Sequence, residues 1–152
     1  MNKVFAVIYP IPTQLVDRVF TEQRTVFVKY LPHETSVRIV PRNRILFYAS
    51  HGRKELVGEA TIKAIEFLTS QEALEKYGGK VFLNKDELTN YTLQQPSRPA
   101  SKKLLVLVLS KPKRYARGIN YRKPITMAGE YLTEERYNTL FQETIKEQYE
   151  TE

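Results

Sequence analysis

The chain has 152 residues, 41% hydrophobic and 27% charged, the usage of an ordinary folded domain. It has no cysteine and two histidines, His33 and His51, which excludes disulfides, zinc–thiolate and iron–sulfur centres, cysteine nucleophiles and histidine-rich metal sites. The longest strictly aliphatic run, residues 104–109, is far short of a membrane span, and the proline-broken N-terminus is a poor signal peptide. A cytoplasmic chain forming one domain over residues 1–152, with no metal or other cofactor, is expected.

The net charge is +7 and unevenly placed. Residues 88–129 carry nine Lys and Arg and no acid, whereas residues 130–152 carry seven acids and two bases. A basic stretch beside tyrosines suits a polyanion such as nucleic acid. The plainer reading is a solvated, lysine-rich surface.

In chain order, residues 4–9 read as a buried strand that Pro10 and Pro12 end. Thr13 opens a short helix with Leu15, Val16, Val19 and Phe20 at helical spacing. Residues 24–30 return to β character, with Val26, Val28 and Tyr30 on one face and Phe27 and Lys29 on the other. Residues 44–50 form a core strand and residues 51–54 a basic turn. Over 56–67 the alternation of Ala60, Ile62 and Ala64 with Glu59, Thr61 and Lys63 marks a half-buried antiparallel strand. A helix over 70–77 has Ser70 as cap and Gly78-Gly79 as stop. A capping box at residues 84–87 opens another towards Tyr91. Residues 94–103 are a loop and 104–110 the strongest strand, followed by a basic excursion over 111–123. Thr133 caps a last helix with Tyr137, Leu140, Phe141 and Ile145 as its packed stripe, and Glu134 and Glu135 suit its positive end. The sum is an α+β domain: a small, mainly antiparallel, partly open pseudo-barrel with short helices and a C-terminal helix packed on it.

The order of motifs resembles the PUA-like superfamily, which includes the PUA, ASCH, EVE and YTH domains. The ASCH signature runs glycine, lysine, glutamate, arginine into a strand. In residues 22–29 Arg24 stands for its lysine and Lys29 for its arginine, while Glu22 and Phe27 replace the glycine and glutamate. The strand at 44–50, its turn and the strand opening Leu56-Val57-Gly58-Glu59-Ala60 fit the same pattern. Residues 124–132 (PITMAGEYL) look like the signature of an uncharacterised archaeal branch. The resemblance implies a cleft used for RNA or a modified base.

Candidate cleft residues are Arg24, Lys29, Tyr30, Tyr48, His51, Arg53 and Lys54, joined by Thr126 and Gly129 from the 124–131 loop. Lys29, Arg24 and Arg53 would hold phosphates, Tyr30 or Tyr48 would stack on a base, and Thr126 with the backbone at Gly129 would bond its edge. The opposing reading makes Tyr48 a core residue and Lys29 a strand-surface lysine. Residues 111–123 interleave Lys111, Lys113, Arg114, Arg117, Arg122 and Lys123 with Tyr115 and Tyr121, and Gly118 suggests an exposed loop or hairpin. Cations at phosphate spacing beside aromatic faces suit single-stranded nucleic acid.

The expected function is RNA or modified-nucleotide binding without catalysis. Some ASCH proteins are small amidohydrolases that act on acylated cytidine through a lysine, a threonine and a glutamate. Here Arg24 stands at the lysine, and arginine cannot serve as a base. A hydrolase would need another set, such as Lys29, Glu59 and Thr126. A third reading is a protein-interaction module or homodimer.

Overall fold

The computed structural model describes residues 3–30, 37–50, 54–93, 103–121, 125–126 and 128–150, with backbone alone for 91–93 and 143–150. The strands are β1 (Ala6–Ile11), β2 (Val26–Lys29), β3 (Arg44–Ala49), β4 (Glu55–Leu68), β5 (Leu104–Asn120) and β6 (Glu130–Leu132). The helices are α1 (Val16–Phe20), α2 (Ser70–Tyr77), α3 (Lys85–Leu93) and α4 (Glu134–Glu150). The six strands form one mixed sheet in the order β2-β5-β4-β3-β1-β6, which does not close into a barrel. β1 and β3 run parallel and the other neighbours antiparallel.

Strand alternation divides the core in two. Val7, Tyr9 and Ile11 of β1 and Ile45, Phe47 and Ala49 of β3 enter the larger cluster, which Leu15 covers together with Val16 and Val19 of α1. Ala6 and Ile8 with Leu46 and Tyr48 point the other way, where Tyr137 of α4 caps a smaller cluster. The sheet curls, so β1 and β2 touch across it without pairing: the Tyr9 and Phe27 rings stack 6.2 Å apart.

Several boundaries differ from the sequence reading. β1 runs through Pro10 to Ile11. β6 pairs with β1 only at residues 6–8, so the missing Pro10 N–H lies on an open stretch of strand. Thr13 begins a 3-10 turn, Thr13–Leu15, whose N-cap position is taken by Pro12. The α2 cap is Thr69, not Ser70: Thr69 and Glu72 exchange reciprocal bonds of 3.2 and 2.9 Å. The expected box at Asn84 and Glu87 is present, with both bonds at 2.9 Å, as is the Thr133 cap of α4. β6 falls within residues expected to be loop.

The largest difference is at 111–120. These residues continue β5, pairing with residues 55–59 of β4. The basic segment is therefore a strand, kinked by bulges, rather than a loop or hairpin. Their polar sequence hid the pairing because β2 borders β5 only over residues 105–108, leaving the distal half of β5 with one strand neighbour among the described residues.

Candidate nucleic-acid interface

Lys29 ends β2 on the face that Phe27 shares. The residue is only 2% exposed, and Nζ lies 4.8 Å from the centre of the Tyr9 ring. It is not a strand-surface lysine. Gly129 reaches the same ring from the loop before β6. Its φ of 79° is left-handed, and a β-carbon there would fall 2.6 Å from the Tyr9 ring. The Gly129 N–H donates to the Thr126 carbonyl at 2.9 Å, and the Thr126 side chain is exposed. Tyr9 thus joins two segments that the sequence nominated separately. Its phenol is pushed well above its ordinary pKa, first by burial and then by Tyr131.

Other candidates lie apart from this junction. Tyr48 is buried in the α4 cluster, on the opposite face from Lys29, and cannot stack on a base beside it. Tyr30 is half-buried against the larger cluster. Arg24 sits five residues before Lys29, about 17 Å along extended chain, and pairs with Glu22 at 3.6 Å. Lys54 is exposed with φ 53°. His51, Arg53, Arg122 and Lys123 lie outside the described residues.

The distal half of β5 sorts its side chains by face. Lys111, Lys113 and Arg117 are exposed, and among the described residues no ion pair engages them. Arg114 pairs with Asp17 and lies over the Phe20 ring at 5.5 Å, tying β5 to α1. Tyr115 turns under α4, its hydroxyl donating to Glu59 at 3.1 Å and its ring meeting Phe141 edge-on. Tyr121 donates to Glu130 at 2.5 Å, and burial with that bond pushes its pKa up to about 12. Neither tyrosine offers a free face in the manner expected.

Two features escaped the sequence reading. Glu59 was expected on a solvated face. It accepts from Tyr137 at 2.7 Å and from Tyr115, and lies 3.6 Å from Arg44, which stacks on Phe5 and Tyr137. It shares its face with Leu46, not with Lys29, so Lys29, Glu59 and Thr126 do not assemble into a hydrolase site. The second is a cavity of about 330 Å³ between α1 and the bulged part of β5, lined among others by Thr13, Asp17, Glu55, Val57, Arg114 and Gly118. Only folding brings these segments together, so no local motif could have announced it.

The family described as domain of unknown function (DUF365) matches residues 4–134, which include all six strands. The chain belongs to that family. An uncharacterised protein of Methanocaldococcus jannaschii is 27% identical over 103 residues, covering 64% of this chain and 95% of that relative. Among solved structures, an ASCH protein from Zymomonas mobilis superposes with TM-score 0.73 at 18% identity, over 91% of this chain and 94% of the other. The N-terminal domain of McrB from Staphylothermus marinus gives TM-score 0.56 at 15% identity, over 93% and 98%. This DUF365 chain therefore has the ASCH-like α+β fold that its motifs resembled. Among the described residues no helix is long and apolar enough to cross a membrane.

Proposed function

We propose that this chain binds RNA or a modified nucleotide and does not itself catalyse a reaction. The observation that carries the reading is the distal half of β5. It presents Lys111, Lys113 and Arg117 exposed, without ion-pair partners among the described residues, along a stretch with one strand neighbour. Extended backbone repeats every ~3.3 Å, so cations at alternate positions approach phosphate spacing. The ASCH-like fold supports the same reading.

A competing account makes these cations guards of an exposed strand edge, helped by Pro112 and the bulges. The two accounts separate in a salt titration. A labelled single-stranded RNA should bind more weakly as salt rises, because each neutralised phosphate releases counterion. The triple variant Lys111→Ala, Lys113→Ala, Arg117→Ala should lower the slope by about two units, at ~0.7 per single-strand contact. Arg114 is left in place because it holds α1. Unchanged affinity and slope, with an unchanged melting curve, would remove β5 from the interface.

A further inference from the structure

We propose that β4 and β5 carry a seat for the terminal phosphate of a nucleic-acid strand, formed by the Thr61 and Ser110 hydroxyls with Lys63, Lys111 and Arg44. The inference rests on the nucleic-acid reading above and adds the strand's end to it. Ser110 pairs with Thr61 and Thr61 with Arg44, so the three stand in one row across β5, β4 and β3. Neighbouring strands lie ~4.8 Å apart, which makes the row about 10 Å long. The adjacent Leu109, Ile62 and Ile45 are buried in the larger cluster, so alternation turns the row to the opposite face. All three residues of the row are partly exposed.

Two bulges frame the row. Ile62 pairs with Leu109 but Ala64 with Val108, which leaves Lys63 as a surplus residue of β4. On the other side Thr61 pairs with Ser110 but Glu59 with Lys113, so Lys111 and Pro112 of β5 oppose Ala60 alone. Each bulge thus places an exposed lysine within two residues of the Thr61–Ser110 pair. Bulges concentrate beside functional sites, where they re-aim side chains.

Lys111 is the decisive residue. Its φ is 51°, the left-handed conformation of the first position in one class of bulge, where glycine is the usual occupant. A side chain with a β-carbon is strained there, yet the strand carries lysine. Such strain clusters where side chains clamp ligands. Among the described residues no ion pair engages Lys63 or Lys111, and no side-chain hydrogen bond engages the Thr61 or Ser110 hydroxyl. Arg44 is committed in part, to Glu59 and the Tyr137 hydroxyl, but its side chain is 40% exposed and a guanidinium has five N–H donors. The nearby acid, Glu59, already accepts from Tyr115 and Tyr137. A phosphate monoester carries nearly two charges and three acceptor oxygens, whereas a phosphodiester within the strand carries one charge. Two hydroxyls and three cations match the monoester.

Anisotropy titration tests the seat with one internally labelled single-stranded RNA in three forms: a 5′-phosphate, a 3′-phosphate, or hydroxyls at both ends. At least one phosphorylated form should bind about tenfold more tightly than the hydroxyl form, and the form that does so names the end. Lys63→Ala and Lys111→Gly should each cut that preference at least about threefold. Lys111→Gly should also melt no lower than the parent, because glycine relieves the backbone. Inorganic phosphate, with ionic strength held by chloride, should shift the Thr61 and Ser110 amides. Equal binding of the three RNAs, a preference surviving in either variant, a lower melting temperature for Lys111→Gly, or unmoved amides would each overturn the seat. If the three RNAs bind alike with normal salt dependence, only the seat falls. If none binds, the nucleic-acid reading falls with it.

Discussion

At Gly129 a single hydrogen atom decides whether the 125–129 loop can rest on Tyr9. Alanine there meets two penalties. The left-handed φ costs about 1–2 kcal/mol for a residue with a β-carbon, and that carbon would lie 2.6 Å from the ring and 2.7 Å from the Ile8 carbonyl oxygen. Neither ring nor backbone can retreat cheaply, because Tyr9 is 1% exposed and Ile8 is inside β1. Gly129→Ala should therefore lower stability by more than about 1 kcal/mol in chemical denaturation. Gly79→Ala is the control: its φ is not left-handed and a β-carbon there meets nothing within 4 Å. If both variants unfold at the same denaturant concentration, the loop is not seated on Tyr9. The same residue shows how far sequence carried the site. Lys29 and Gly129 were legible as candidates from their motifs. Tyr9, which joins them, was hidden inside an apolar strand because its partners come from residues 20 and 120 positions away.

Among the elements, those whose signals are local were the most legible. The Asn84–Glu87 box and the Thr133 cap form within one turn, so their spacing specifies them completely. Among the described residues the distal half of β5 pairs with β4 alone and carries three surplus residues, so neither alternation nor hydropathy survives in it. Glu59 was misplaced for a related reason: alternation gave its face correctly but could not say that α4 covers that face. This covering has a consequence at high pH. Tyr115 and Tyr137 both donate to Glu59, and burial, then Glu59, raise both phenols, Tyr137 to about 12. In the unfolded chain they lose protons near their ordinary value of 10. Above that pH the unfolded state binds fewer protons than the folded one, so stability is complete below about pH 10 and falls as pH rises towards 12. Melting temperatures measured across that window should drop, and Tyr137→Phe should shallow the drop. A flat profile in the parent chain would mean that these phenols are not held under α4.

For the molecule as a whole, the sheet works as a partition with a cover on each side. On one side α1 seals the larger cluster, anchored by Arg114 to Asp17 and by Arg18 to Glu87, whose carboxyl is held below its ordinary pKa by that bond. These are partly exposed pairs that fix positions more than they stabilise. On the other side α4 is the helical cover, with Tyr137 buried and Leu140 and Phe141 half-buried over Ala6, Ile8, Leu46, Tyr48 and Leu56. Ending the chain at Leu132 would uncover that entire face of β1, β3 and β4 and leave Glu59 without its Tyr137 bonds. An exposed apolar surface of this extent drives association in water. The truncated chain should bind a hydrophobic dye and lose cooperative unfolding or melt far lower. The deletion also removes six acids and two bases beyond residue 132, so the remainder is more basic. Any folded fraction should hold RNA at least as tightly, because the cations of β5 remain. A truncated monomer with the parent melting temperature and no dye binding would show that α4 is not a cover at all.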